Sequence, residues 1–335
     1  MGHRVVVRRR AGTGGHGRPL YTDLLGDLVA IDDQRLTLRT EDGTEHSVEL
    51  TEVAAGKRIP PRPVRYSEMA ALERIADDAW PAPEHERLGD WFLRSAAGFT
   101  NRANSALPLG DPGCHLDEAI DACAEWYVAR SLPPKITVPL PLRRDVADAL
   151  IRRDWHAQPP VLVQTALLAD VLAAPGPLPA PGPLPRPVPS HEPKPTAPVS
   201  IRLQRTPSTG FLRIIAARKA GLPEAAHRVL HGVGEVRFAE VPESTGVADA
   251  AMPRAIGRGA MVGEWMHLGL VEVVESARRL GLARALTLAL ASWASSGGAV
   301  RALLQVEEHN TAAVGLYASM GFHTHHTYIT YRAPG

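Results

Sequence analysis

The chain has 335 residues, a length that suggests two or three domains. Its formal net charge is +1 and 44% of its residues are hydrophobic, which is typical of a globular protein and gives no reason to expect a nucleic-acid partner. No stretch is long and apolar enough to span a membrane, and the first apolar run is too short for a signal peptide. The cysteines Cys114 and Cys123 form neither a zinc motif nor a disulfide framework, so free, buried thiols in a reducing cytoplasm are expected.

Residues 1–60 alternate apolar and polar side chains between short turns, which predicts strands. The predicted strands are Arg4–Arg8, Thr22–Ile31, Arg35–Arg39 and His46–Leu50. Turns fall at Asp32-Asp33 and at Glu41-Asp42-Gly43. This pattern fits a small five-stranded barrel of the SH3-like kind.

Residues 61–170 are predicted to contain both helices and strands. Predicted helices cover Ser67–Ala79, Leu116–Ser131 and Asp145–Arg152. Predicted strands cover Trp91–Ser95, Ala103–Pro108, Ile136–Val138 and Val161–Thr165. Residues 171–199 contain closely spaced prolines that allow neither a helix nor a central strand, so they predict a semi-rigid linker.

Residues 200–335 alternate helices with strands. Predicted helices cover Thr209–Leu230, with a break near Gly221, Leu282–Ser296 and Thr311–Met320. Predicted strands cover Glu235–Val241, Ala255–Trp265, Leu268–Val274, Ala302–Val306 and Thr327–Arg332. Gly297-Gly298 ends the long helix, as is usual for glycines at helix C-termini.

The turn between the strand ending at Val274 and the helix beginning at Leu282 has the features of an anion site. Unpaired N–H groups at a helix start, together with the helix dipole, favour a phosphate or pyrophosphate. Gly281 and the small Ala283 permit close approach of the backbone, and Arg278 adds positive charge. No P-loop or dinucleotide fingerprint is present.

Two motifs connect this region to a family. Arg278-x-x-Gly281-x-Ala283 resembles the acetyl-CoA loop of the GNAT N-acetyltransferases. The segment that begins with Asn310 and ends with Phe322, with the pattern N-x-x-A-x-x-L-Y-x-x-x-G-F, resembles the second GNAT signature at the expected distance. The resemblance implies an α/β (α+β) chain whose GNAT fold has a mixed central sheet at the C-terminus, preceded by a small barrel and a degenerate GNAT-like half.

The resemblance also implies four regions and their roles. Residues 1–60 would form the SH3-like barrel, 61–170 the degenerate half, 171–199 the linker and 200–335 the catalytic domain. Both motifs lie in 200–335, so this fragment is expected to bind acetyl-CoA by itself. The degenerate half is expected to bind no cofactor and is a candidate wall for the acceptor pocket. Its candidate polar residues are Arg94, Arg102 and Asn104.

By resemblance the co-substrate is acetyl-CoA, with no metal. The backbone of 271–273 would pair with the pantetheine arm, the amides of 279–284 would hold the pyrophosphate, and arginines 278, 279 and 284 would add charge at the rim. Asn310 would bond the pantetheine arm and Ala313 would leave room for it. The predicted cofactor-binding residues are Val271, Val273, Arg278, Arg279, Leu280, Gly281, Leu282, Ala283, Arg284, Asn310 and Ala313.

Tyr317 is at the position of the general acid that protonates the coenzyme A sulfur in this family. His267 and Glu272 are the preferred candidates for the general base, while Glu307, Glu240 and an ordered water stay open. Several histidines near the C-terminus lack the cysteine or carboxylate that would complete a zinc set, so no metal site is predicted.

These features predict an enzyme that transfers an acetyl group from acetyl-CoA to a primary amine by direct transfer in a ternary complex. The alternative is a non-catalytic acyl-CoA-binding module that reports acetyl-CoA to a partner. The partner of the enzyme would be an amine-bearing small molecule or protein, and the sequence leaves the acceptor and the oligomeric state open.

Overall fold

The computed structural model describes residues 3–60, 62–174, 199–219, 221–243 and 252–334. The chain forms two compact units, Met1–Val64 and Arg65–Gly335. Residues 175–198, most of the predicted proline-rich linker, lie outside the described residues.

The first unit is a five-stranded antiparallel sheet, consistent with a small barrel-like domain. Its strands are β1 (Arg4–Thr13), β2 (Pro19–Ile31), β3 (Arg35–Arg39), β4 (Glu45–Glu49) and β5 (Val53–Arg58). Their order is β4-β3-β2-β1-β5. Leu36 and Leu38 of β3 are buried and Leu36 pairs with the buried Val48, so the predicted alternation produces the core of this unit. The sequence did not indicate β5, whose side chains beyond Val53 are exposed. The SH3-like relationship stays a prediction.

The second unit combines helices with strands, which confirms the predicted mixed α/β class. Its helices are α1 (Tyr66–Asp78), α2 (Leu116–Val128), α3 (Arg144–Arg152), α4 (Leu168–Ala173), α5 (Thr209–Lys219), α6 (Glu224–His231), α7 (Leu282–Ser296) and α8 (Thr311–Ser319). Its first strands are β6 (Glu84–Leu88), β7 (Trp91–Ser95), β8 (Leu107–Pro108), β9 (Lys135–Leu140), β10 (His156–Ala157) and β11 (Val161–Leu167). Its later strands are β12 (Arg202–Gln204), β13 (Glu235–Val241), β14 (Ala255–Val262), β15 (Trp265–Val273), β16 (Arg301–Glu307) and β17 (His323–Arg332).

Nine of these strands form one mixed sheet with the order β10-β17-β11-β16-β15-β14-β13-β12, and β9 also pairs with β17. The neighbours β15 and β16 run parallel, whereas β11 is antiparallel to both β16 and β17. The mixed central sheet predicted for the C-terminal part is therefore present. Its strand β11, however, comes from the middle of the chain.

The middle region and the C-terminal region share this sheet rather than forming separate sheets. Strands β9, β10 and β11 all lie in the predicted 61–170 region, and all three join the nine-stranded sheet. Strands β6, β7 and β8 form a three-stranded sheet, and Ala106, the residue before β8, forms an isolated bridge with Ile136 of β9. The sheet thus crosses the predicted boundary between these regions, and α4 occupies 168–173, where the linker was predicted to start.

The large sheet is covered on both faces. Leu282, Leu286 and Leu290 of α7 are buried in the cluster on one face. Phe211 of α5 and Ile256 of β14 are buried in a cluster on the other face, with residues of α6. Because successive side chains of a strand point to opposite faces, β13 and β14 present one set of residues to α7 and another to α5 and α6. On that second face, β11, β16 and β17 pack Val163, Leu303 and Tyr328 against α1.

Two predicted strands differ in the structure. Ala103–Pro108 was predicted as one strand, but its first part is a 3-10 turn. The side chain of Asn104 accepts hydrogen bonds from the amides of Ala96 and Gly98, which holds the chain in a loop. The predicted strand Ala255–Trp265 is divided into β14 and the start of β15 by a turn at Gly263, whose φ of 55° suits glycine.

The expectation for the cysteines is met by one of them. Cys123 is fully buried in the core that contains α2, and burial raises the pKa of its thiol to about 12. Cys114 is exposed, contrary to the expectation that both thiols would be buried.

Candidate active site

The central feature of the site is a gap between two parallel strands. β15 and β16 pair from Trp265 opposite Arg301 to Leu268 opposite Leu304, and their pairing stops there. β15 continues beside β14 as far as Val273. Beyond Leu268, the backbone edge of β15 on the side of β16 therefore faces a gap, where an extended polar chain can pair with it.

A bulge in β15 lies at the start of this gap. The register with β14 shifts between Gly269 and Glu272, so that β15 carries one residue more than its partner. Leu270 has a φ of 54°, a left-handed conformation that is unusual for leucine and that the flanking sheet holds in place. The predicted pantetheine-binding residues Val271 and Val273 follow this bulge.

A cavity of about 330 Å³ occupies the gap and extends to both faces of the sheet. Asn310, Ala313 and Tyr317 of the α8 region line it on the face that carries α7. His267 and Gln305 line it on the opposite face, because they alternate along β15 and β16 with residues that pack against α7. The structure thus brings the predicted acid, both preferred base candidates and three predicted cofactor residues, Val271, Asn310 and Ala313, to the lining of a single cavity.

The predicted pyrophosphate turn has the expected shape. Gly281 lies immediately before α7 with a φ of 74°, and Arg279 has a φ of 62°. A Cβ atom added at Gly281 would meet no atom within 4 Å, so the helix start is open. Arg278 and Leu280 are also exposed. The first N–H groups of α7 have no intrahelical partner, as at any helix start, and are available to an anion.

The side chain of Arg284 differs from the expectation that it adds charge at the rim. It is 8% exposed and donates a hydrogen bond of 2.6 Å to the carbonyl of Ala174. The first-turn side chains alternate between core and solvent because the helix packs against the sheet, and Leu282 is likewise buried. Arg284, Leu282 and the partly buried Ala283 can therefore serve an anion only through their backbone N–H groups.

Asn310 forms the N-cap of α8. Its Oδ1 accepts a hydrogen bond of 3.2 Å from the amide of Ala313, which satisfies one N–H of the first turn. Both residues line the cavity. Asn310 therefore caps α8 from a position in the cavity lining.

Tyr317 is positioned by packing. Its ring makes an edge contact with Phe322 at a centroid distance of 5.7 Å, and the residue is 7% exposed. Burial raises the pKa of the phenol to about 12. Tyr317 therefore keeps its proton at neutral pH, which is the state that a general acid requires.

His267 is buried and neutral. It is 2% exposed, and Nη1 of Arg102 lies 3.0 Å from its Nε2. Because arginine only donates, Nε2 must accept, and the single proton of the neutral ring is then on Nδ1. Desolvation lowers the pKa of His267 well below its usual value, and the charges of Arg102 and Arg258 lower it further. The lone pair that a base would use is occupied, so these surroundings argue against His267 as the base.

The carboxylate candidates differ in position. Glu272 and Glu307 both line the cavity. Glu272 is hydrogen-bonded to Arg218 of α5, and Glu307 lies 3.3 Å from His309. Glu240 is 5% exposed, does not belong to the cavity lining, and accepts a hydrogen bond of 3.1 Å from the backbone just before α5.

The middle region contributes part of the cavity wall. Of the three polar residues suggested from the sequence, Arg102 lines the cavity. Arg94 is instead buried in an ion pair of 2.7 Å with Asp77. Trp80 and Tyr328 also line the cavity and were not anticipated, since nothing local in the sequence indicates that these distant segments meet there.

The C-terminal histidines are used in packing. His326 is buried with its Nε2 2.8 Å from Glu73 of α1, and its Nδ1 lies 2.8 Å from Nδ1 of His325. Burial, followed by the proximity of His326, lowers the pKa of His325 to about 4. Within the described ranges, no group of three or more histidine, cysteine, aspartate or glutamate side chains is arranged to hold a metal ion.

The environment of His267 leads to a test by pH dependence. A base acts when deprotonated, and burial holds the pKa of His267 well below its usual value. An acidic limb of kcat/KM near pH 6–7 would therefore come from another group. We expect His267→Asn, whose amide oxygen can still accept from Arg102, to retain the acidic limb of the wild-type profile. Loss of that limb, with acetyl-CoA affinity unchanged, would identify His267 as the base.

No helix among the described residues has the length and apolar character needed to cross a membrane.

The architecture is that of a GNAT acetyltransferase. A parallel strand pair separates after Leu268, a bulge in β15 follows, and a glycine-led helix start and a short capped helix lie near the gap. The fold also matches a solved GCN5-related N-acetyltransferase from Kribbella flavida with a TM-score of 0.52 and 15% identity, over 82% of this chain and 97% of that one.

Sequence comparison defines the family. Residues 66–331 match the profile described as "Probable histone acetyltransferase Rv0428c C-terminal". The chain is 32% identical to the "Probable histone acetyltransferase Rv0428c" of Mycobacterium tuberculosis, over 97% of this chain and 93% of that protein. It is 24% identical to the "Uncharacterized N-acetyltransferase YobR" of Bacillus subtilis, over 75% of this chain and 93% of that protein. The protein therefore belongs to the Rv0428c family of GNAT acetyltransferases, and acetyl transfer is its class of activity.

Proposed function

We propose that the protein transfers the acetyl group of acetyl-CoA to a primary amine by direct attack in a ternary complex. The observation that carries the proposal is the cavity between β15 and β16, which opens to both faces of the sheet. One face presents the residues predicted to hold the cofactor, and the other presents a separate polar wall. Two substrates can thus meet in the gap at the same time, which is what direct transfer requires.

The residues around the gap fit acetyl-CoA. Among the described strands, none lies beside the edge of β15 that faces β16 beyond Leu268, so this edge can pair with the amide groups of a pantetheine arm. The open helix start at Gly281, with exposed Arg278 and Arg279, suits the pyrophosphate. Ala313 is small enough to leave the path between these two regions clear. Acetyl-CoA supplies an activated thioester, and the protein supplies position and proton transfer.

The proposed reaction needs few groups. The nitrogen of a neutral amine attacks the carbonyl carbon of the thioester, a C–N bond forms and the C–S bond breaks. Backbone N–H groups on the free edge of β15 can stabilise negative charge on the carbonyl oxygen. Tyr317 donates its proton to the departing sulfur. The proton of the amine passes to Glu272 or to an ordered water, because the lone pair of His267 already accepts from Arg102.

The mechanism is tested by steady-state kinetics with a panel of amines, measured as coenzyme A release. Direct transfer predicts that double-reciprocal plots at several acceptor concentrations intersect. Parallel lines would indicate an acetylated enzyme and contradict the proposal. Because the Mycobacterium tuberculosis relative is named a probable histone acetyltransferase, lysine peptides belong in the panel beside amino acids, polyamines and aminoglycosides. Tight binding of acetyl-CoA without turnover of any amine would favour the alternative, a non-catalytic acyl-CoA-binding module.

Tyr317→Phe removes the proposed acid and little else. The hydroxyl is needed only as the sulfur leaves, so we expect kcat to fall by about 100-fold, an effect typical of losing one proton donor. The dissociation constant of acetyl-CoA, measured by calorimetry, should stay nearly unchanged. Tyr331→Phe removes a hydroxyl from another buried tyrosine and serves as the matched control. An unchanged kcat in Tyr317→Phe, with chemistry shown to be rate-limiting, would assign Tyr317 to packing.

A further inference from the structure

The wall of the cavity opposite the cofactor residues contains polar groups without partners. Nε of Arg102, Nδ1 of His267 and both amide atoms of Gln305 are buried, and none has a hydrogen-bond partner among the described residues. All three residues line the same cavity. Buried polar groups are nearly always paired in folded proteins, so such a cluster indicates a place where a ligand completes the hydrogen bonds.

The two central arginines of this wall form no ion pair. Neither Arg102 nor Arg258 has a carboxylate within ion-pair distance in the described part of the chain, whereas Glu272, which also lines the cavity, is paired with Arg218. Glu73 is close enough to act electrostatically on Arg102, but its carboxylate contacts His326 at 2.8 Å. A buried cation without a counter-ion is costly, and a ligand that brings a negative charge recovers that cost.

Arg258 reinforces Arg102 from behind the wall. It is fully buried and donates to the carbonyls of Leu230 and Ala79 at 3.0 and 3.1 Å. Its guanidinium lies 4.8 Å from the ring of Trp80, which lines the cavity. Arg258 therefore cannot move toward a ligand, but its charge adds to the field at Arg102, the cation that borders the cavity.

The proton on His267 also makes this wall favour a negatively charged ligand. Because Nε2 accepts from Arg102, Nδ1 is a donor, and a Cβ atom added at Gly269 would lie 3.7 Å from it. Gly269 also lines the cavity. Arg102 and His267 thus offer donors, while Gln305 offers both a donor and an acceptor. Donors and positive charge on one side suit a carboxylate, and an amide oxygen nearby suits an amine.

We propose that the acetyl acceptor is a small amine that also carries a carboxylate, such as a free α-amino acid, with Arg102 binding the carboxylate and Gln305 facing the amino group. This inference rests on the proposed function and specifies its acceptor. Arg102 is then a specificity-determining residue. A lysine side chain in a basic peptide offers this wall a cation and no carboxylate, so such a peptide is expected to be a poor acceptor.

The test compares matched acceptors with the full-length wild-type protein. Each α-amino acid is paired with its carboxamide and with the corresponding decarboxylated amine, and kcat/KM is measured by coenzyme A release. A site built to bind a polar group rejects analogues that lack it, so we expect kcat/KM for the preferred amino acid to exceed that for its carboxamide by about 100-fold or more. Equal values, or a preference for lysine peptides over every amino acid, would overturn the inference and leave the proposed function intact.

Variants at Arg102 test whether this residue is responsible for the preference for an acceptor with a carboxylate. Arg102→Met should reduce the ratio of the two kcat/KM values to near 1, while Arg102→Lys should keep part of it. Arg213→Met, at an exposed position of α5, is the control and should keep the ratio unchanged. A full ratio in Arg102→Met would overturn the assignment of Arg102. If this variant does not fold, the comparison with the wild-type protein still decides whether the acceptor carries a carboxylate. If no amine of any class is acetylated although acetyl-CoA binds, the proposed function fails and the inference falls with it.

Discussion

A fragment of residues 199–335, which contains both cofactor motifs, is expected not to fold. It lacks β11, which pairs with β16 along its whole length and with β17 on its other side. It also lacks Val163, Leu168 and Val171, three side chains that are at most 1% exposed. Burial of three such side chains contributes roughly 5–9 kcal/mol, which is comparable with the entire stability of a typical domain.

The matched control is residues 65–335, the second compact unit, which keeps every strand of the nine-stranded sheet. This fragment should show cooperative thermal unfolding and bind acetyl-CoA with the affinity of the full chain, measured by calorimetry. Cooperative unfolding of 199–335 together with normal acetyl-CoA binding would show that β11 is dispensable. That outcome would support the domain boundary at 200 that the sequence suggested.

Gly281→Glu should weaken acetyl-CoA binding by about 100-fold, which corresponds to about 2.7 kcal/mol. A carboxylate at the start of α7 would compete with the pyrophosphate for the same N–H groups and repel its charge. The helix itself tolerates an acidic residue there, since anions are favourable at a helix N-terminus. Apart from the cost of the left-handed φ at this position, the loss should therefore register in ligand binding rather than in folding.

Gly281→Gln separates charge from shape. It has the same size and the same unfavourable left-handed φ, which costs about 1–2 kcal/mol for a residue with a side chain, but it carries no charge. We expect it to bind acetyl-CoA at least about ten-fold more tightly than Gly281→Glu does. S-acetylpantetheine, which has no pyrophosphate, should bind both variants alike. Equal affinities of the two variants for acetyl-CoA would show that the pyrophosphate lies elsewhere.

Structural features that depend mainly on neighbouring residues in the sequence were predicted at the correct positions. The helix start at Gly281 and the bounds of β13 and α7 follow from glycine and periodicity, and the structure has them where they were expected. These features place the cofactor side of the candidate site. The structure agrees with their predicted positions, while their roles in binding stay proposals.

The acceptor side depends on contacts between distant segments, which no local pattern specifies. Arg102 reaches His267 only because the chain between Ala96 and Asn104 folds into a loop stabilised by one asparagine side chain. That arrangement also decides the tautomer of His267, which the sequence left as a free base candidate. The sequence likewise did not predict that β11 lies between β16 and β17, because the apolar pattern of a strand does not indicate which strands it pairs with.

The position of β11 also constrains the order in which the protein folds. Val163 pairs with Gln305 and with His326, so this strand has no neighbours in the sheet until nearly the whole chain has left the ribosome. Contacts between residues so far apart in sequence close slowly, and apolar strand edges stay uncovered meanwhile. Chaperone dependence and aggregation of nascent chains should therefore be governed by residues 161–167, although they lie far in sequence from both cofactor motifs.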